Sequence, residues 1–292
     1  MKLSILFRAG ILTALFAGAS APAAQTPAVE FPAPSPACTL KQRVGLTDVE
    51  IVYSRPSVRG RKIFGAMIPY GEVWRTGANA ATRITFSTDV KLQGAALAAG
   101  AYEFFTIPDR DEWTIIVQKL PEKASWGAYS YKKENDTARM KAKPVTIPTP
   151  IESFSFGIGD LRDTSATIYL AWENTRVPLK LEVDTVGMLM PKIKAAMASD
   201  GAKTWNLYSG AASLLYENGG DLEQALKWVD ESIKLRGDYP GTWLLKTRIL
   251  VKLGRNAEAK TSAAKAVETG KKLEGPDSVM ARQAQTIADS LN

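Results

Sequence analysis

The sequence predicts a mainly β protein, an antiparallel sandwich or barrel, followed by an α-helical, tetratricopeptide-like region. Three observations carry this. Between Asp48 and Asp184 apolar residues alternate with polar ones, the period of half-buried strands. Turn residues separate the alternating runs at hairpin spacing, with no amphipathic helix between them, which favours an antiparallel arrangement over a parallel α/β one. From about Pro191 the apolar period becomes helical. The chain therefore reads as a signal peptide at 1–24, a Pro-rich linker at 25–43, an antiparallel β-sandwich at 44–187 and a helical repeat-like domain at 188–292.

In chain order, Lys2 and Arg8 flank an apolar stretch at 3–16 that runs into small residues at 17–24, the order of a secretory signal. Ala21 and Ala23 supply an A-x-A match, placing cleavage after Ala23 or Ala24. The apolar run is shorter than the roughly 20 residues of a membrane span. No later segment is long and apolar enough, so the expectation is an exported protein, periplasmic or extracellular, with no transmembrane segment after signal removal. Prolines at 22, 27, 32, 34 and 36 then favour extended chain over helix.

The strands follow. Val49, Ile51 and Tyr53 alternate with polar neighbours, as do Ile84 with Phe86 and Trp113 with Ile115 and Val117. Further runs at 90–92, 101–107, 140–146, 153–157, 167–172 and 179–183 bring the set to about nine short strands. Gln93-Gly94, Ala99-Gly100, the stretch 108–111 and Gly159-Asp160 supply the turns.

In the helical region, breaks at Gly220 and Gly254 are 34 residues apart, the tetratricopeptide length. Superposition at that offset pairs Tyr216 with Leu250, Ala225 with Ala259, Ser232 with Ala266 and Ile233 with Val267. Asp221 with Gln224 resembles a capping box, and Gly275-Pro276-Asp277 starts a last helix at 278–291. Two units are fewer than a solenoid needs, so the array is expected to lean on the sandwich. It reads either as a structural tail or as a groove for a peptide or protein partner.

Composition excludes several chemistries. The 292 residues include no His, which removes Ser-His-Asp and Cys-His nucleophile systems and His-based metal centres. The single Cys38 can neither close an internal disulfide nor build a thiolate cage. Asp109, Asp111 and Glu112 lack the ligand spacing of a calcium loop, so neither a metal nor a cofactor is expected. The net charge of +7 falls to +5 without Lys2 and Arg8, and the remaining cations are spread along the chain. A nucleic-acid partner is therefore not expected.

Chemistry concentrates in the run 53–79, YSRPSVRGRKIFGAMIPYGEVWRTGAN, which carries four glycines, two prolines and five cations. Long structured loops in compact domains are usually functional, and Phe64, Tyr70 and Trp74 can pin this one to the sheet. Arg59 and Arg61, with Lys62 beside them, can present guanidiniums to a phosphate, sulfate or carboxylate; Arg75 and Asn79 add a donor pair across Gly77. The alternative is an internal brace in which these arginines pair with Glu50, Glu72 or Glu173. Trp126, Tyr129 and Tyr131 offer rings to a sugar or another flat ligand, or form a core edge. Binding is favoured over catalysis, with an anionic small molecule, glycan or envelope polymer as the ligand. A hydrolase would have to use a carboxylate such as Glu72 or Glu173 as its base.

The motifs SRPSVRGRKIFG, IPYGEVWRTGANAAT, LAAGAYEFFTIP, DEWTIIV and WGAYSY resemble, in order and spacing, the domain of unknown function 2911 family of exported bacterial proteins. The likeness runs over 44–183, and the tail from Trp205 onward is similar to one often found in that family. It implies export, an all-β core and importance for Arg59, Gly60, Arg61, Trp74, Arg75, Gly77 and Asn79. It implies no reaction.

Overall fold

The computed structural model describes residues 31–199, 201 and 203–291. The expected signal peptide and the first part of the linker lie outside these. Among the described residues, ten strands are followed by six α-helices with no interleaving. The strands are β1 (Ala37–Val44), β2 (Thr47–Ser54), β3 (Thr82–Phe86), β4 (Val90–Leu92), β5 (Ala95–Leu97), β6 (Gly100–Ile107), β7 (Trp113–Lys119), β8 (Asp136–Ala142), β9 (Val145–Gly159) and β10 (Ser165–Val183). The helices are α1 (Thr185–Ala198), α2 (Trp205–Glu217), α3 (Leu222–Leu235), α4 (Pro240–Lys252), α5 (Asn256–Glu274) and α6 (Val279–Ser290).

All strand pairings are antiparallel and make two sheets, ordered β1-β2-β3-β6-β7-β8 and β5-β4-β10-β9. The two inner faces share one core. Ile51, Ile84, Phe104 and Ile115 come from the first sheet, and Leu92, Phe156, Leu170 and Leu181 from the second. This is the expected sandwich. The β4–β5 hairpin turns at Gln93 and Gly94, both at positive φ, as a two-residue turn between twisted strands requires.

Three strands differ from the expectation. The strand β1 occupies 37–44, mostly within the stretch read as linker, because pairing with β2 outweighs the prolines just before it. Prolines 148 and 150 sit within β9, which is an edge strand, where a missing N–H costs no ladder bond. The runs 167–172 and 179–183 are one strand, β10, interrupted by register shifts around Glu173. Before the bulge Ile168, Leu170 and Trp172 face the core; after it Val177, Leu179 and Leu181 do. An extra residue inverts the parity, which makes one strand look like two.

The helices pack as hairpins, α2 with α3 and α4 with α5, and α6 lies on α5. The second helices superpose at 34 residues: their N-caps are Asp221 and Arg255, and Ala225 and Ala259 are both fully buried. The first helices superpose at 35, since Gly219 (φ 70°), not Gly220, matches Gly254 (φ 73°), and Leu215, not Tyr216, matches buried Leu250. The Asp221 carboxylate accepts from the Gln224 N–H at 3.0 Å, and Ser278 caps α6 by accepting from Ala281 N–H at 3.1 Å. The apolar clusters of the helices contain only residues from Met190 onward, and the sandwich core ends at Val183. The array thus carries its own core rather than sharing the sandwich's.

Candidate functional site

The connection from β2 to β3 is a 27-residue insert, 55–81, that spans both sheets at one end of the sandwich. Its first part runs beside β9: Val58 N–H donates to the Glu152 carbonyl at 2.8 Å, and Phe154 N–H to the Pro56 carbonyl at 2.9 Å. The Arg55 Nε adds a bond to the Phe154 carbonyl at 3.0 Å. Its later part pairs with β6, where Trp74 and Thr106 exchange backbone bonds of 2.7 and 2.9 Å. Between these moorings Ile63, Phe64 and Trp74 enter the core. The Phe64 ring meets Trp113 at 4.9 Å, and Trp74 meets Phe154 at 5.1 Å and stacks on Trp172 at 5.9 Å. Trp74 Nε1–H is satisfied by the Gly77 carbonyl at 3.1 Å. The expected pinning by aromatic residues holds for Phe64 and Trp74, whereas Tyr70 is partly exposed and covers Gly65.

Non-glycine residues at positive φ persist only where surroundings over-determine them, and they cluster at functional sites. The insert has three, Arg59 (49°), Thr76 (56°) and Asn79 (60°). The Arg59 backbone N–H donates to Glu152 Oε1 at 2.9 Å, and Thr76 Oγ1 bonds Thr106 Oγ1 at 3.0 Å. At Gly77 a Cβ would stand 3.0 Å from the Ser54 carbonyl oxygen, so the chain passes too close there for a side chain.

Against the insert lies a cavity of about 380 Å³. Its lining includes Arg59, Arg61 and Arg75, with Trp74, Trp172, Met67 and Ile68 supplying apolar surface and Ser35 and Ser57 polar surface. Among the described residues no Asp or Glu lines it. Among the described residues none of the three arginines makes an ion pair. Arg61 donates to the Val58 carbonyl at 3.0 Å and the Ser57 carbonyl at 2.6 Å, and Arg59 to the Pro34 carbonyl at 3.3 Å. The Nε of Arg75 is buried with no partner. A guanidinium carries five donors, so most of this donor capacity is uncommitted.

The other expected site residues fall elsewhere. Lys62 and Glu72 are exposed and outside the cavity. Asn79 does not join Arg75 in the cavity; its amide donates to the Ser35 carbonyl and Ser54 Oγ, both at 3.2 Å, because its left-handed backbone turns it toward β2. Trp74, by contrast, belongs both to the core, at 5% exposure, and to the cavity lining. Glu173 accepts from Ile63 N–H at 3.1 Å and so holds the insert. With neither Glu72 nor Glu173 in the cavity, a carboxylate base beside Arg75 has no geometric support.

Trp126 and Tyr129 belong to a second irregular segment, 120–135, which crosses the outer face of the larger sheet. Under it lie Phe105 and Ile116, with Tyr131 against Phe105 at 5.4 Å. Glu103, 2% exposed, anchors it by accepting from Ser125 N–H at 2.6 Å and Ser125 Oγ–H at 2.7 Å. Burial disfavours an ionised phenol, and burial together with the hydrogen bond to Asp136 raises the Tyr131 pKa above its ordinary 10.0. Sequence reasoning missed Glu103, although a carboxylate between Tyr102 and Phe104 in an apolar strand is itself a signal. It also missed Trp172 and Ser35, which only tertiary pairing brings to the cavity.

The family model described as "Protein of unknown function (DUF2911)" matches residues 35–181, and the chain belongs to that family. The match spans both irregular segments and stops before α1. No curated protein matches the chain.

Proposed function

We propose that the protein is an exported, non-catalytic binding module that takes an anionic group into the Arg59/Arg61/Arg75 cavity. One observation carries this: three arginines line one concavity that, among the described residues, no Asp or Glu lines. Arginines that make no ion pair keep donors open, and a bound carboxylate, sulfate or phosphate can accept from several of them at once. The cavity is within the size range of small-molecule sites. Export is supported by the charge, apolar-run and small-residue order of residues 1–24.

The test is titration calorimetry with inorganic sulfate and with a monomeric uronate, alongside melting curves. Arg59→Ala combined with Arg75→Ala is expected to weaken binding at least tenfold and to leave the unliganded melting temperature almost unchanged. Unchanged binding with a fall of several degrees would make the arginines braces instead.

A further inference from the structure

We propose that the anion in the arginine cavity is one acidic unit of a glycan, and that a neighbouring sugar ring stacks on Trp126 and Tyr129. This rests on the anion-binding reading and names its ligand class.

Trp126 and Tyr129 are 68% and 91% exposed, an unusual display for large aromatic side chains. They are nonetheless carried on a fixed backbone. Ala81 N–H donates to the Ser125 carbonyl at 2.8 Å, Gly127 N–H to the Asn79 carbonyl at 3.3 Å, and Trp126 bridges Ala80. At Gly127 a Cβ would lie 2.8 Å from the Tyr129 ring, so the ring lies directly over that glycine. Held rings lose little entropy on binding.

The concavity beside the two rings measures about 370 Å³, and Lys123, Ser130 and Asn135 line it with them. Aromatic faces among hydrogen-bonding groups suit a pyranose, which offers an apolar C–H face and a rim of hydroxyls, better than an apolar protein surface.

The platform adjoins the arginine cavity. Ala78 lines the cavity and Ala80 bridges Trp126, two residues and at most about 7 Å of chain apart. Asn79 is the saddle between them: its amide bonds Ser35 on the cavity side and Ser54 on the other. From Ser54 and Asn79 a groove of about 450 Å³ continues to Glu103 and Trp126. Cationic cavity, polar saddle and aromatic platform thus follow one another in the order of an acidic unit and its neighbouring sugar.

The experiment titrates the protein with uronic-acid and sulfated oligosaccharides of one to six units, using carboxyl-reduced neutral oligomers and a poly-glutamate peptide as controls. Affinity is expected to rise with length for at least one acidic series. Trp126→Ala with Tyr129→Ala should abolish that rise, costing about tenfold on the longer oligomers, and leave the affinity for the single unit unchanged. Length-independent binding, or a rise that survives loss of both rings, overturns the proposal while single-unit binding through Arg59 and Arg75 leaves the anion reading intact. Failure of every anion to bind overturns both. Equal binding of poly-glutamate, insensitive to the ring substitutions, would replace the glycan with an acidic peptide.

Discussion

Two irregular segments of the sandwich, 55–81 and 120–135, are both pinned to the larger sheet, but by different physics. The insert drives Ile63, Phe64 and Trp74 into the common core and holds its arginines outward. The crossing segment covers only a small satellite cluster around Phe105 and Ile116; a buried carboxylate anchors it, and it holds its aromatics outward. Anchoring and display are thus exchanged: apolar anchors present cations in one segment, and polar anchors present rings in the other. A segment's displayed residues can change without loss of the fold, whereas its anchors cannot.

The substitution with the largest expected effect removes an apolar anchor. Trp74→Ala should cost about 3–5 kcal/mol, the range for deleting a buried aromatic side chain, and denaturant unfolding would measure it. A loss below about 1 kcal/mol would mean that the insert is not moored by its rings. Next comes the polar anchor. Glu103→Ala leaves the Ser125 N–H and hydroxyl without their acceptor and should cost about 1–3 kcal/mol. Proteolysis should then cut 120–135 before it cuts 55–81; simultaneous cutting would erase the contrast between the two segments.

The smallest effect is one of pH. Tyr131 is half-buried in the crossing segment, where its hydroxyl donates to Asp136 Oδ2 at 3.1 Å and accepts from Arg139. Its pKa is raised above 10.0. A group whose folded pKa is raised contributes stability that is complete below the unfolded value and lost as pH climbs through the folded one. The melting-temperature advantage of the native chain over Tyr131→Phe should therefore be constant up to about pH 10 and shrink above it. An advantage that instead grew with alkalinity would reverse the sign of the argument. Tyr53 is a second raised phenol: burial, reinforced by the hydrogen bond with Cys38, pushes it up to about 12.

Much of this organisation was legible in the sequence. Alternation located most strands, and glycines with prolines marked the insert as ordered. The arginines of the insert were visible as a cluster, but their convergence was not, because Arg59 and Arg75 are sixteen positions apart on a chain that turns at residues of positive φ. Asn79 illustrates the limit. Its spacing from Arg75 suggests a joint donor pair, yet one left-handed residue sends its amide to Ser35 and Ser54. The bulge at Glu173 made β10 read as two strands for a related reason, since local pattern does not distinguish a parity inversion from a break.

By itself the sequence determined the sandwich, the helical hairpins and the types of chemistry available, because periodicity, turn residues and the missing histidines act locally or by composition. Tertiary structure alone decided that no carboxylate among the described residues lines the arginine cavity, that Trp172 and Ser35 help line it, and that Glu103 holds the aromatic segment in place. Those facts depend on which residues distant in the chain become neighbours, and burial and strand pairing, not spacing, set that.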